Sequence, residues 1–335
     1  MSATSPSSTG TPAPPSGDPR PGGQWKKWLW RGLRFGGTAA AFAYILSIVD
    51  PDELGGAFAR VSGWAFLAAC ATTFANLWVG AIRWRMLLAA YGAPRRPSLA
   101  RLTHVYWVGF FYNNYVPGGV GGDVVRGVVT RQSFGERGTT ASMTVVLVER
   151  ALGLSGLLLL VSGANLLRPL PGTEDVLFLS ALGLMAAAAG IGFVALSRRI
   201  APRVPGKLGA LAASIPVIER PLPFAGALGV SLGTQGLVAV TGWFLLASVT
   251  GGAVTLGDAF VVVPLAMAAT YIPFSIGGAG FREGAFVYFC ATYLGVAEAD
   301  AVAASLLIWG TQLAVSGLGG LSQLVVPLSP EEETA

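Results

Sequence analysis

Six stretches of this chain, at roughly 33–49, 61–82, 139–167, 176–197, 223–249 and 301–326, are long, apolar and almost free of charge. A helix needs about 20 predominantly apolar residues to cross a hydrocarbon core of about 30 Å. A water-soluble domain would have to bury all of these segments on every side, which is a rare arrangement. Composition agrees: 53% of residues are hydrophobic and 12% are charged, whereas an ordinary soluble domain is about 25% charged. The chain reads as an all-α polytopic membrane protein.

The connections differ in charge, and the difference orients the spans. Residues 83–101 hold Arg83, Arg85, Arg95, Arg96 and Arg101 with no acid, and 198–222 hold Arg198, Arg199, Arg203, Lys207 and Arg220 against Glu219. The opposite connections carry only Arg60 and Arg168 as cations. Cationic loops stay in the cytoplasm, so the N-terminus and both arginine-rich loops are expected there. This accounts for the net charge of +5 without a nucleic-acid partner. Residues 1–24, rich in Ser, Thr, Pro and Gly, form an expected disordered tail. "WKKWLWRGLRF" follows as an interfacial anchor. Residues 25–327 make the membrane domain, and 328–335 a short acidic tail. Cys70 and Cys290 lie in apolar segments as packing residues, and His104 is the only histidine. No metal or cofactor is expected.

Two regions between the spans, 99–138 and 258–300, contain nearly the same awkward segment. "YVPGGVGGDVVR" runs from Tyr115 to Arg126 and "YIPFSIGGAGFR" from Tyr271 to Arg282; ungapped, they share Tyr, Pro, Gly-Gly and the last Arg. Their apolar arms are short or interrupted by Pro264 and Pro273, which fits re-entrant segments better than full crossings. A first hairpin returning to the cytoplasm keeps Arg131 and Arg137 inside; the second dips from the outer face. About six full spans plus two broken hairpins, eight hydrophobic regions in all, then divide into halves of opposite orientation. Paired broken segments in an inverted repeat are the best sequence pointer to a transporter's binding site.

With "VERALGL" between them, "NNYVPGGVGGDVVRG" and "IPFSIGGAGFREGAF" resemble the membrane region of bacterial lysylphosphatidylglycerol synthases, the flippase-like domain of the multiple peptide resistance factor. The resemblance covers about 30–326 and implies lipid flipping in a bacterial inner membrane. The chain closes on "VVPLSPEEETA", so a stand-alone member without the aminoacyl-transfer domain is expected, and lysyl transfer is not implied.

A charged headgroup crossing the bilayer needs compensation, since an unpaired charge at the midplane costs about 2.5–3.5 kcal/mol or more. Pro117, Gly118, Gly119, Gly121 and Gly122, and again Pro273, Gly277, Gly278 and Gly280, are expected to open the backbone toward a ligand. Helix starts bind phosphate through free N–H groups, and Arg126 and Arg282 are the expected clamps. Asp123 stands three residues before Arg126, one face of a helical turn. Glu149 and Glu283 would neutralise the arginines or hold a headgroup amine, and Asp123 or Glu283 would carry protons in a coupled cycle. Arg150, Asn113, Asn114, Tyr115 and Tyr271 complete the candidate set.

"GVSLG" (Gly229 to Gly233) matches a hydrolase nucleophile pattern but lies in an apolar span, where it reads as helix packing. No ATP-binding P-loop motif is present. The leading reading is a phospholipid flippase or scramblase rather than an enzyme. The alternatives are an intramembrane transferase on a lipid-linked substrate and a non-catalytic subunit of a separate lipid-modifying enzyme. Expected partners are the phospholipid, a separate lipid synthase or glycosyltransferase, and a second copy of the chain.

Overall fold

The computed structural model of the chain describes residues 43, 47, 50–116, 121–167, 169, 174–215, 217–271 and 280–328. The N-terminal tail, the tryptophan-rich anchor and all but two positions of the span at 33–49 lie outside the described residues. So do Pro117, Gly118, Gly119, Pro273, Gly277 and Gly278, and the side chain of Tyr271.

The described elements are helical: α1 (Pro51–Ala59), α2 (Gly63–Ala90), α3 (Leu99–Tyr115), α4 (Gly121–Val129), α5 (Gly138–Leu167), α6 (Glu174–Ile200), α7 (Gly206–Ser214), α8 (Pro221–Val249), α9 (Leu256–Met267), α10 (Phe281–Leu294) and α11 (Glu298–Ser322). Short 3-10 turns follow α4, α6 and α9. Local chemistry sets the starts. Ser62 and Ser98 cap α2 and α3 by accepting from the N–H groups of Ala65 and Arg101, and Thr255 and Asp258 cap α9 reciprocally. Gly295, in the left-handed region at φ 63°, ends α10.

Five described helices are long and apolar enough to cross a membrane: α2, α5, α8, α11 and a segment covering most of α6. They coincide with five of the six anticipated spans. One boundary differs: α2 continues past the anticipated end at 82 to Ala90, because the charge of Arg83 is paired inside the bundle and need not emerge. In contrast, α3, α4, α9 and α10 have only 17, 9, 12 and 14 residues. At 1.5 Å per residue even the longest covers only about 25 Å.

Cross-links identify the two ends of the bundle. At one end Arg60 Nε donates to the Val249 carbonyl at 3.0 Å, Arg60 pairs with Asp300, and the Ser62 N–H donates to Ser248 Oγ. That gathers the start of α2, the end of α8 and the start of α11. At the other end the N–H groups of Glu219 and Arg220 both donate to the Ala90 carbonyl, and His104 Nε2 meets Ser322 Oγ at 3.0 Å. Helices α2 and α8 therefore run antiparallel. Each end has its own apolar core. Leu245, Val249, Val262, Phe286 and Val302 pack together at the Arg60 end. Trp84, Leu88, Leu102, Val145 and Phe224 do so at the Ala90 end. Trp64, Leu67 and Trp78 on α2 and Phe178 and Met185 on α6 remain exposed, an apolar outer surface suited to acyl chains.

Candidate functional site

Missing side chains are what let the site close. Gly80 on α2 faces Tyr106 of α3, and a Cβ there would lie 2.8 Å from the ring. Gly122, in the first turn of α4, lies against Gly109 of α3 so closely that a Cβ would sit 1.8 Å from the Gly109 carbonyl oxygen. Gly121 and Gly122 are thus helical and serve close approach, where an opened backbone was anticipated. The N–H of Gly122 donates to Asn113 Oδ1 at 2.8 Å, so α3 caps the start of α4. Pressed together this way, the two helices bring Asp123 and Arg126 inward.

Glu149 of α5, 1% exposed, is the hub. Its Oε1 accepts from Arg83 Nη2 at 2.8 Å and from the Tyr106 hydroxyl at 2.7 Å, and its Oε2 accepts from Arg126 Nη1 at 2.8 Å. Arg126 also pairs with Asp123 one helical turn away, at 2.5 Å, and its guanidinium lies 4.5 Å from the Tyr106 ring centroid and 5.3 Å from that of Trp84. Arg150 pairs with the other oxygen of Asp123. Arg83 reaches on to Ser231 and Thr234 of α8 at 3.4 and 3.3 Å. One network thus joins α2, α3, α4, α5 and α8. Removing one partner would leave a buried charge uncompensated.

The network faces a cavity of about 340 Å³, lined by Arg83, Tyr106, Asn113, Asp123, Arg126, Glu149 and Arg150, by Asn76 and Leu77 of α2, by Thr234, Gln235 and Val238 of α8, and by Thr270 in the turn after α9. Arg150 keeps 44% of its side-chain surface exposed and marks the open side. Thr270 is in the turn preceding the second break, so the flank of that break borders the cavity formed beside the first.

The sequence-derived candidates divide into three groups. Asn113, Asp123, Arg126, Glu149 and Arg150 line the cavity. Asn114 donates to the Phe110 carbonyl and Tyr115 to the Leu313 carbonyl, which ties them to α3 itself and to α11. Arg282 and Glu283, 2% and 0% exposed, pair with each other. Arg282 Nε also donates to Ser305 Oγ at 3.1 Å, and Glu283 accepts from the N–H of Gly280 at 2.6 Å. Gly280 itself has φ 84°, a conformation that favours glycine. This pair does not border the cavity as far as the described residues define it.

Sequence reasoning passed over Arg83, Tyr106, Asn76, Thr234 and Gln235. For Arg83 a signal existed: "IRWRMLLAA" is apolar on both sides of its arginines, so the helix can continue through them. The glycines of "GVSLG" do not pack: Gly229 and Gly233 face open space, while Ser231 between them touches Gly156.

Among known families, the one described as the lysylphosphatidylglycerol synthase TM region matches residues 31–320. No curated protein matches the chain.

Proposed function

The chain belongs to the lysylphosphatidylglycerol synthase transmembrane family, and on that premise we propose that its buried cavity receives the headgroup of a phospholipid in transit between leaflets. The protein is a membrane phospholipid flippase or scramblase. The observation that carries the site is a water-accessible cavity bordered by five charged side chains inside an apolar bundle. Intramembrane charges are expensive and mark substrate pathways. A phosphate oxygen competes for the hydrogen bonds that Arg126 and Arg150 now give to Asp123, while the acyl chains stay against the apolar outer surface.

The same reading orders the helices as two halves of opposite orientation. In each, a long helix is followed by a broken short pair and another long helix: α2, α3/α4, α5, and then α8, α9/α10, α11. Supporting it, the broken pairs belong to cores at opposite ends, with Leu102 and Val105 of α3 at one and Phe286 and Val287 of α10 at the other. The arginine-rich connections gather at the end holding Ala90, and the positive-inside rule supports a cytoplasmic position for that end and, on this reading, for the N-terminus. Cysteines introduced at Arg131 and Glu298 then label from opposite faces of the membrane; labelling from the same face overturns the arrangement.

The function itself is tested with the purified chain in liposomes containing an acyl-labelled fluorescent phospholipid. A membrane-impermeant quencher is expected to reach dye from both leaflets when the protein is present. Loss of outer-leaflet dye alone, as in protein-free liposomes, overturns the proposal.

A further inference from the structure

The two arginines of "IRWRMLLAA" lie on opposite sides of α2. At 3.6 residues per turn, Arg83 and Arg85 are roughly 200° apart. Arg83 is buried in the network, and Arg85 is exposed. Trp78 and Phe74, seven and eleven residues before Arg85, share its face and are also exposed, at 48% and 41%. Arg85 therefore stands on the apolar outer face of α2, about 8 Å before the helix ends at Ala90. A charge at that depth is costly unless it reaches the headgroup layer or meets a counter-charge.

Arg85 borders a groove of about 550 Å³ at the Ala90 end, where the end of α2 meets the starts of α3 and α8. Arg96, exposed in the connection to α3, borders the same groove. Ile82, Met86, Leu99 and Leu222 make its apolar wall. Helix α8 closes against that wall at Gly226, where a Cβ would lie 3.3 Å from Met86 Cε. Among the described residues no carboxylate borders the groove, and neither arginine has an ion pair or a side-chain hydrogen bond. The groove shares no lining residue with the central cavity.

Two uncompensated guanidiniums beside an apolar wall fit a ligand that is anionic at one end and apolar along the rest. We infer that the groove holds one anionic phospholipid as a resident partner of the chain, in the leaflet at the Ala90 end. Its phosphate accepts from Arg85 and Arg96, and an acyl chain lies along Met86 and the 83%-exposed Leu222. This site is separate from the transport cavity and holds whether or not the protein moves lipid. The chain's own ends match it less well. Residues 25–35 bring four cations and no acid, and "EEETA" at 331–335 brings negative charge without a large apolar side chain for the wall.

Native mass spectrometry of the full chain, titrated with dioleoyl phosphatidylglycerol or dioleoyl phosphatidylcholine, tests the site. The wild-type chain is expected to retain phosphatidylglycerol under conditions where phosphatidylcholine dissociates. The double variant R85Q/R96Q is expected to bind one phosphatidylglycerol about twentyfold more weakly, since each interfacial cation is worth about fivefold toward an anionic lipid. A lipid in the central cavity survives that double substitution, so the two sites are counted separately. Arg95→Gln, exposed but outside the groove, and a chain ending at Leu328 are both expected to bind as the wild type does; thermal melts verify that all variants fold. Equal retention of the two lipids by the wild type, or undiminished phosphatidylglycerol on R85Q/R96Q, overturns the proposal. An equal loss from Arg95→Gln overturns it in favour of diffuse surface charge. Retention only after removal of 329–335 overturns it in favour of the acidic tail as the occupant. A changed oligomeric mass of R85Q/R96Q with an unchanged lipid count overturns it in favour of a contact between copies.

Discussion

The two broken segments share their edge residues in sequence and use charge in contrasting ways. After the first, Arg126 draws one counter-charge from its own helix, Asp123, and another from a different helix, Glu149. After the second, Arg282 takes its acid from the adjacent position, Glu283, and only a neutral Ser305 from α11. An arginine whose counter-charges arrive from several helices holds those helices around a space. An arginine closed on its own neighbour is neutral as a unit and can be sealed at 2% exposure. The origin of the acid therefore separates a cavity wall from a staple at a helix start, although the local sequence is nearly the same.

The strongest way to break this comparison is to remove the shared acid. Glu149→Leu leaves Arg83 and Arg126 without their common partner and is expected to cost about 3–5 kcal/mol, as for other broken buried pairs. A thermal melt of the detergent-solubilised protein reads the loss, and a wild-type midpoint would mean that Glu149 is not a hub. Next, Gly122→Ala forces a Cβ into the Gly109 carbonyl and should destabilise by about 1–3 kcal/mol. The same melt applies, with Gly229→Ala, which faces open space, as the matched control. Third, lysine cannot span Glu149 and Asp123 while lying on Tyr106. Arg126→Lys is expected to slow lipid movement about tenfold, or about 1.4 kcal/mol, whereas Arg282→Lys should register in the melt and not in the transport rate. Equal transport losses from the two would erase the distinction between wall and staple. The smallest effect concerns neither: Ser62→Ala removes the cap of α2 and should cost about 1 kcal/mol, visible as a slight shift in midpoint with transport unchanged.

Much of the architecture was legible in the sequence because crossing a membrane is a property of one segment at a time. Length and apolarity suffice, so α2, α5, α6, α8 and α11 could be located without knowing their neighbours. The helix end at Tyr115 and the helix start at Phe281 lie beside the proline- and glycine-rich stretches picked out in the sequence, since proline and glycine act on the backbone within a few residues. Asp123, Arg126, Glu149 and Arg150 stood out as charges in apolar surroundings. Arg83 did not, because counting it among loop cations satisfied the charge asymmetry equally well.

The sequence by itself determined how many apolar segments there are, where they are interrupted and which charges lie among them, all consequences of short-range chemistry. Only the tertiary structure decided which charge meets which. Tyr106, Asn76, Thr234 and Gln235 are unremarkable residues on their own helices, and they become cavity lining only once the helices pack, with glycines at 80, 109 and 122 letting α2, α3 and α4 approach and Gly156 of α5 lying against Ser231 of α8. Pairing energy falls steeply with separation and with solvent, so partners distant in the chain, such as Arg83 and Glu149, acquire their meaning only once packing brings them within 2.8 Å.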